Sequence, residues 1–198
     1  MELRPEHARQ VAELHISGIA TGFISSLGTD FVRVLYETIA ESRFGFGLVA
    51  EIKGRVVGSV VFTPDINKLY KSVIFKRGLY FTFLLAPKML SISRIKKIFE
   101  TIFYPGRVNN LDVPGAELLS IVVAPKERGK GLSCMLTRKG LEECHQRGIE
   151  RVKVLVGADN KPANALYLKC GFQLVGQMEN HGIVSNVYVA RTDHFEHH

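Results

Sequence analysis

Residues 117–133, ELLSIVVAPKERGKGLS, contain an apolar run, a basic turn with two glycines and the start of a helical pattern. The apolar run predicts a buried strand over residues 117–123, and the pattern from Leu132 to about Gln146 predicts a helix. A helix that begins at a glycine turn has backbone N–H groups without intrahelical partners, and its dipole attracts negative charge. The stretch therefore predicts a strand, a turn and a helix that together can bind an anion.

Strands and helices continue to alternate downstream of this stretch. Residues 151–156 predict a strand, and residues from about 162 to 170 predict a helix that ends at Gly171 in the left-handed conformation. Residues 172–178 and 183–190 predict a final hairpin. A strand–helix–strand unit joins parallel strands, so we expect a sheet that is parallel at this unit.

Upstream, residues 3–5 predict a short strand, and a helical pattern begins near Glu6. Residues 21–28 predict a loop, after which Thr29 or Asp30 can cap a second helix. Residues 44–52 and 55–62 predict two strands joined by a tight turn at Lys53 and Gly54. The whole order predicts an α/β fold with a mixed central sheet of about seven strands flanked by helices.

The 198 residues suit one domain, expected over residues 1–190 with an elaboration at about 65–110. Residues 191–198 are assigned to a tail whose last residues resemble the remnant of a purification tag. The elaboration follows the third strand and has eight cations and two anions between residues 65 and 105, so 8 − 2 = +6 of a net charge of +7. Its apolar residues recur at helical spacing, which predicts an insert of two or three amphipathic helices.

Three interpretations of this basic insert stay open. It can be a helical cover over the sheet edge, a lid whose cations hold an acidic substrate, or a patch for a membrane surface or nucleic acid. We expect no nucleic acid as a partner. We also expect no integral membrane association, because the longest uncharged apolar stretch in the middle of the chain is residues 78–87, and a membrane span needs about 20 residues.

The three cysteines, Cys134, Cys144 and Cys170, form no CxxC pair. This argues against a disulfide framework and a zinc site and favours a cytoplasmic protein. Neither Cys134 nor Cys170 has a histidine at the spacing of a catalytic pair, so both are interpreted as small buried hydrophobes. Outside the tail, where His194 and His198 are four residues apart, the histidines show no HExxH or HxxxH spacing, and no metal is expected.

The glycine turn itself allows two interpretations. Gly129 and Gly131 permit turn dihedrals and close backbone approach, and Arg128 and Lys130 add positive charge that phosphates would attract. The turn matches neither the GxxxxGK[ST] phosphate loop nor the GxGxxG dinucleotide fingerprint. From these residues alone, a phosphate cradle and a polar turn on a solvated face are both open.

The glycine turn and a second segment, residues 160–172, resemble a known family. The turn is similar to motif A of the GNAT superfamily of acyl-CoA N-acyltransferases, R/Q-x-x-G-x-G/A, with Arg128, Gly131 and Ser133 at the defining positions. Ser133 departs from the Gly or Ala of that pattern. The downstream residues that resemble motif B are Asn160, Ala163, Leu166, Tyr167, Lys169, Gly171 and Phe172. The 29 residues from Gly131 to Asn160 suit one helix, a turn and a strand.

The resemblance implies acetyl-CoA as a co-substrate. Backbone groups of Ile121, Val122 and Val123 would pair with its pantetheine arm where the strand splays from its parallel neighbour. The other residues implied to hold it are Arg128, Gly129, Lys130, Gly131, Leu132 and Ser133 through N–H groups to the pyrophosphate, Asn160 through its side chain, Ala163 by close packing, and Tyr167 near the sulfur.

The resemblance also implies two catalytic side chains. Tyr167 matches a tyrosine whose phenol can donate a proton to the leaving thiolate. Glu117 stands where many relatives have a glutamate as general base, and in a regular strand it shares the face of Val123, six residues away. A water chain or Ser120 are alternatives for the base. Other relatives place a glutamate in the middle of the next strand, where this chain has Leu155.

We therefore expect an acetyl-CoA-dependent N-acetyltransferase that acts on a primary amine of a small molecule by direct attack on the thioester. Protein N-acetylation and transfer of a longer acyl chain are the alternatives within this class. A non-catalytic acyl-CoA-binding regulatory module is the alternative outside it. A homodimer is common in the superfamily and stays an open expectation.

Overall fold

The computed structural model describes residues 1–19, 23–85, 112–180 and 183–195. Its helices in these ranges are α1 (Ala8–Gly18), α2 (Phe23–Ser26), α3 (Thr29–Ala40), α4 (Ile66–Leu85), α5 (Leu132–Gln146) and α6 (Lys161–Lys169). Its strands are β1 (Phe46–Ile52), β2 (Arg55–Thr63), β3 (Glu117–Val123), β4 (Arg151–Gly157), β5 (Gln173–Asn180) and β6 (Ile183–Arg191).

The described strands form one mixed sheet in the order β1-β2-β3-β4-β6-β5. β3 and β4 are parallel and are joined through α5, and the other neighbouring strands are antiparallel. This confirms the predicted mixed α/β fold, with six strands in the described residues where about seven were expected. Residues 3–5 are not a strand: Glu2 forms a single bridge with Leu48, and the chain enters a 3-10 turn at Pro5, which has no N–H for a ladder.

The bounds of β3 and α5 agree with the prediction, because an apolar run ends at a turn whose last glycine, Gly131, caps the helix. Two upstream predictions were wrong. Residues predicted as a loop include the single turn of α2. The N-cap of α3 is Gly28, at φ +95°, so Thr29 and Asp30 lie inside the first turn instead of capping it.

The sheet has a hydrophobic core on each face. One core lies under α5 and α6 and includes Phe62 and Leu141; the other lies under α1 and α3 and includes Val11 and Val61. Adjacent residues of β2, Val61 and Phe62, therefore enter opposite cores, as the alternation of a strand requires. Full burial of one such side chain stabilises the fold by about 1.5–3 kcal/mol.

β3 has one residue more than β2 over the same length. Val61 pairs with Ser120 and Phe62 pairs with Leu118, so Leu119 is an extra residue that forms a β-bulge. Leu118 and Val123 both lie in the α5/α6 core, although a regular strand would put residues five apart on opposite faces. The bulge thus reverses the alternation of side chains for the residues before it.

A helix is confirmed for the first half of the predicted insert, but not an amphipathic one, because Phe75 and Leu79 are almost fully exposed. α4 packs on α3 through Phe81 and Phe31, whose ring centroids lie 4.6 Å apart. The second predicted amphipathic stretch, within residues 86–111, lies outside the described residues. Among the helices that the structure describes, none is long and apolar enough to cross a membrane.

The sheet continues slightly beyond the expected end of the domain at residue 190. β6 ends at Arg191, and the next residue, Thr192, is fully buried. Its Oγ1 donates a hydrogen bond to Ile149 O at 2.6 Å, and its N–H donates to Glu150 O at 3.0 Å. These bonds attach the chain after β6 to the loop that precedes β4.

Gly140 of α5 lies directly against the buried ring of Phe62, and a Cβ there would overlap Cε2 and Cζ of that ring. We expect Gly140→Ala to lower the free energy of unfolding by about 1–2 kcal/mol, because overpacking outweighs a gain of about 1 kcal/mol in helix propensity. In the matched variant Gly78→Ala on α4, the new Cβ would meet Ile74 at an ordinary 3.7 Å, so this variant should be neutral or more stable. Urea unfolding compares the two, and equal stability would contradict the packing argument.

Candidate active site

The two parallel strands at the centre of the sheet meet at one point. Glu117 of β3 pairs with Lys153 of β4, and the Lys153 N–H donates to Ala116 O at 3.0 Å. Beyond this pair β3 follows β2 and β4 follows β6, and no further pair joins β3 to β4 in the described part of the chain. The strands therefore separate toward the basic turn, as the resemblance implied.

The last residues of β3 present backbone groups to this opening. Ala124 donates its N–H to Val57 O at 2.8 Å, so Ala124 and, by alternation, Val122 face β2. The N–H and C=O groups of Ile121 and Val123 consequently face the opening, where none of the described strands pairs with them. The Val123 carbonyl accepts a hydrogen bond from Arg128 Nε at 3.1 Å, which fixes the guanidinium at the mouth of the opening.

The glycine turn joins this strand to α5. Gly129 and Gly131 have φ of +76° and +81°, and a Cβ at either would meet nothing within 4 Å, so backbone conformation, not crowding, requires glycine. Met135 donates the first bond of the helix, to Gly131 O at 3.0 Å. The N–H groups of residues 132–134 precede that bond, and no side-chain cap among the described residues accepts from them.

The opening is a cleft of about 400 Å³ that gathers most of the residues predicted to hold a cofactor. Nine of the twelve line it: Ile121, Val122, Val123, Arg128, Gly129, Leu132, Ser133, Asn160 and Ala163. Lys130, Gly131 and Tyr167 do not line it, and the exposed Lys130 Nζ instead lies 2.9 Å from Glu127 Oε2.

Four lining residues were missed by sequence reasoning: Gly18, Glu127, Pro162 and Leu166. Gly18 comes from the end of α1, and a Cβ there would overlap a methyl group of Val122. A glycine in the last turn of a helix was the available signal, but only the fold shows that this turn lies against the cleft.

The start of α6 is fixed by two asparagines. Asn160 is the N-cap, and its Oδ1 accepts from the Ala163 N–H at 3.3 Å; its Nδ2 makes no hydrogen bond in the described part of the chain. Asn164 donates from Nδ2 to Gly157 O at 3.0 Å and to Asn160 O at 2.8 Å. Its Oδ1 accepts from Asn186 Nδ2 at 2.7 Å and from Tyr188 Oη at 2.8 Å.

Asn164 was also missed, and three of these four bonds tie α6 to the end of β4 and to the middle of β6. Asparagine is an unfavourable residue inside a helix unless its side chain has partners, which was the signal in the sequence. The arrangement holds Asn160 and Ala163 at the edge of the cleft.

Tyr167 of α6 is buried directly below the cleft lining. Its ring packs edge-on against Phe172 and at a tilt against Tyr188, with centroids 5.5 Å and 6.2 Å away. Burial, and then the neighbouring Cys170, raise the pKa of the phenol above its usual value, so the hydroxyl keeps its proton at neutral pH. That hydroxyl takes part in none of the hydrogen bonds of the described residues and is free to donate.

Glu117 lies on the opposite sheet face from Val123, contrary to the expectation from a regular strand. The bulge at Leu119 lies between the two residues and reverses the alternation. Burial, and then the charge of Glu117, raise the pKa of Tyr70 on α4. Glu117 Oε2 lies 3.3 Å from the buried Nζ of Lys153, which also donates to Pro114 O at 2.8 Å.

Ser120, the alternative base, lies just after the bulge and is connected to two buried side chains. Its Oγ lies 2.9 Å from Tyr36 Oη of α3, and that hydroxyl lies 2.7 Å from His15 Nδ1 of α1. The three residues are up to 105 positions apart in the chain (120 − 15), so no local pattern in the sequence could have joined them. They form a continuous hydrogen-bonded chain on the α1/α3 face of the sheet.

Cys170 agrees with the interpretation as a buried side chain and Cys144 is buried as well, whereas Cys134 is only half-buried. Burial raises the pKa of Cys144 to about 12, and burial followed by hydrogen bonding to Cys134 raises the pKa of Cys170 to about 12. Thiolate, the nucleophilic form, is therefore scarce in both at neutral pH. The sulfur atoms of Cys134 and Cys170 lie 3.2 Å apart where α5 and α6 pack together.

The chain is similar in sequence to a mycothiol acetyltransferase of Catenulispora acidiphila, with 44% identity over 61 residues. These residues are 31% of this chain and 19% of that protein, so the match spans about a fifth of the relative's length. A mycothiol acetyltransferase of Saccharomonospora viridis matches in the same way, with 44% identity over 62 residues, 31% of this chain and 20% of that protein.

Two solved structures share the fold at low sequence identity. The ribosomal-protein-S18-alanine N-acetyltransferase of Escherichia coli has a TM-score of 0.61 at 12% identity, covering 97% of this chain and 94% of that one. A mutant spermidine N-acetyltransferase of Vibrio cholerae has a TM-score of 0.59 at 14% identity, covering 98% and 95%. The model of the acetyltransferase (GNAT) family matches residues 19–172, well over half of the sequence. The chain thus belongs to the GNAT family of acetyltransferases.

Proposed function

We propose that this protein transfers an acetyl group from acetyl-CoA to a primary amine. The observation that carries the proposal is the cleft beside the last residues of β3, which ends at the N–H groups of the first turn of α5. A strand edge and a helix N-terminus are two separate sites for one elongated ligand: the edge pairs with amides, and the helix start attracts an anion. CoA has amides in its arm and a diphosphate at one end.

The diphosphate binds the N–H groups of the turn from Arg128 to Ser133, with the Arg128 guanidinium beside it. The arm then runs along Ile121 and Val123, and their backbone groups, which no described strand pairs with, bind its amides. Asn160 offers its Nδ2 to the arm, and Ala163 leaves room for it. Lys130 and Gly131 do not line the cleft, so Lys130 acts through its charge and Gly131 through its backbone conformation.

The reaction needs no covalent enzyme intermediate. The acceptor ammonium loses a proton to the Glu117 carboxylate, and the freed lone pair attacks the thioester carbon. The C–S bond breaks as the tetrahedral adduct collapses, and the thiolate takes a proton from the Tyr167 hydroxyl. Placing the amine beside the thioester supplies much of the rate acceleration.

The acceptor is a small-molecule amine that arrives as a cation, which the buried carboxylate of Glu117 favours. The relatives described above are named for mycothiol, spermidine and an alanine of a ribosomal protein, so transfer to a protein amine is the second candidate. A regulatory module that binds acyl-CoA without turnover would show affinity for acetyl-CoA but release no thiol with any amine.

Acetyl-CoA binding is tested by adding a negative charge at the helix start. Ser133→Glu places a carboxylate where the diphosphate binds, and we expect a loss of at least about tenfold in affinity from like-charge repulsion. Met135→Glu adds the same charge to the same helix on an exposed side that lines a different groove, so its affinity should change little. Isothermal titration calorimetry measures both; absence of binding by folded wild-type protein would reject the proposed function.

The acid role of Tyr167 is tested by removing only its hydroxyl. Tyr167→Phe should lower kcat by about 100-fold, a usual contribution of general acid catalysis, and leave the affinity for acetyl-CoA unchanged. Tyr188→Phe is the matched control, because it removes a hydroxyl from the adjacent ring, where Asn164 already holds it. Thiol release with a panel of amines gives the rates, and equal rates in the two variants would exclude Tyr167 as the acid.

The base role of Glu117 predicts a different signature. Glu117→Gln keeps the side-chain shape, and we expect kcat/KM for the amine to fall about 100-fold while acetyl-CoA affinity is retained. Glu51→Gln is the control. The Glu51 carboxylate oxygen Oε1 lies 3.5 Å from Nε2 of the buried His7, but Glu51 is on the edge strand β1. If both variants keep wild-type kcat/KM, Glu117 only supports the fold.

A further inference from the structure

Three polar side chains cross the otherwise apolar core between α1, α3 and β3. Tyr36 is 3% exposed and His15 is 7% exposed, and both lie among aliphatic residues of the α1/α3 core. Ser120 of β3 is half-buried and is the third member of this hydrogen-bonded path. The contacts of 2.7 Å and 2.9 Å make one unbroken path from His15 Nδ1 through Tyr36 Oη to Ser120 Oγ.

The protons of this path have a preferred order. Burial lowers the pKa of His15 to about 4 and raises that of Tyr36 to about 12, so at neutral pH the imidazole is neutral and the phenol is protonated. Tyr36 has one proton to donate, and a neutral imidazole nitrogen can accept it. If Tyr36 donates to His15 Nδ1, Ser120 donates to Tyr36, and the Ser120 oxygen keeps lone pairs that can accept a proton from outside.

Ser120 does not itself line the cleft, but on β3 it directly precedes Ile121, the first strand residue that does. Ser120 is two residues before Val122 on the same sheet face, about 7 Å away along the strand, and Val122 lines the cleft with Gly18. The arm of CoA from diphosphate to sulfur is about as long as four residues of extended chain, or ~14 Å. Measured back along β3 from Ala124, where the basic turn begins, that length ends at Ser120.

We propose that Ser120, Tyr36 and His15 form a proton relay that removes the second proton from the acceptor nitrogen. The inference rests on the proposed acetyl transfer. An ammonium acceptor loses two protons on its way to an amide, and Glu117 accounts for only the first. The relay gives the second proton a route on the sheet face where Glu117 also lies.

In the proposed step one proton moves from the acceptor nitrogen to His15 through Ser120 and Tyr36. In the tetrahedral adduct the nitrogen still has one proton too many, and its N–H bond breaks as Ser120 Oγ accepts that proton. The Ser120 proton moves to Tyr36 Oη, and the Tyr36 proton moves to His15 Nδ1, which becomes imidazolium. The nitrogen keeps the electron pair of the broken bond, and the C–S bond breaks to release the thiolate. When the products leave, the proton returns through the same three groups to water at Ser120.

This role differs from a purely structural one. A network that only holds α1, α3 and β3 together needs the same hydrogen bonds, but it does not need a path that ends at the cleft. Ser120 touches the reacting nitrogen in the proposal and is catalytic, whereas Tyr36 and His15 act through it and are positioning residues. The separation of these roles needs a measurement that follows protons and not only stability.

Tyr36→Phe breaks the path in its middle and keeps the ring in the core. Thr38→Val is the matched control: Thr38 lies on the same helix, is fully buried, and its Oγ1 donates to Val34 O at 2.7 Å, away from the path. Both variants lose one buried hydroxyl, so both should lose similar stability. The single-turnover rate of thiol release at saturating acetyl-CoA is then measured in H2O and D2O, with the amine that the wild type uses best.

We expect Tyr36→Phe and Ser120→Ala each to lower the rate by about tenfold or more, with a reduced solvent isotope effect and unchanged acetyl-CoA affinity. The double variant should be no slower than the slower single variant, because both break one path. Thr38→Val should keep the wild-type rate and isotope effect. Should Tyr36→Phe fail to fold, Ser120→Ala tests the relay by the same rate and isotope effect, because Ser120 is only half-buried.

Rates and isotope effects of Tyr36→Phe or Ser120→Ala that match those of Thr38→Val would overturn the relay while the acetyl transfer stands. A wild-type protein that binds acetyl-CoA but releases no thiol with any amine would instead reject the proposed transfer, and the relay with it. The two failures are therefore distinguished by the wild-type rate in the same assay.

Discussion

The centre of the sheet depends on one contact between parallel strands, the pair of Glu117 and Lys153. Its backbone bond keeps β3 and β4 in one sheet, and its buried ion pair holds the two side chains together. Removing one charge of such a pair would leave the other buried without its opposite charge, which typically costs about 3–5 kcal/mol. Everything that makes the cleft begins where this contact ends, since a second parallel pair would close the strand edge that the cofactor arm needs.

The bulge at Leu119 determines which side chains of β3 lie on each face of the sheet. After it, Ile121 and Val123 send their side chains into the α5/α6 core and their backbone groups into the opening. Before it, Glu117 turns to the other face, and directly after it Ser120 also lies on that face, where it contacts α3. A cofactor in the opening would thus have Tyr167 on one side of the sheet and the proton-accepting groups on the other.

The sequence predicted those features that a local pattern determines. The bounds of β3 and α5, the turn at Lys53 and Gly54, and the parallel connection follow from apolar periodicity and from glycines with positive φ. The bulge could not be predicted, because Leu118 and Leu119 are both apolar and neither face excludes them. The path from His15 to Ser120 and the approach of Gly18 depend on contacts between distant segments, which no short window contains.

The strand order has a consequence for motion. β1, β2 and β3 form one antiparallel unit, and β4, β6 and β5 form another, each with a continuous ladder of its own. In the described part of the chain the backbone joins the two units only near Lys153, so α5 and the core beneath it supply most of their connection. Amide hydrogens inside each unit should exchange cooperatively, with the two units opening as separate blocks and a ligand along β3 and α5 joining them into one.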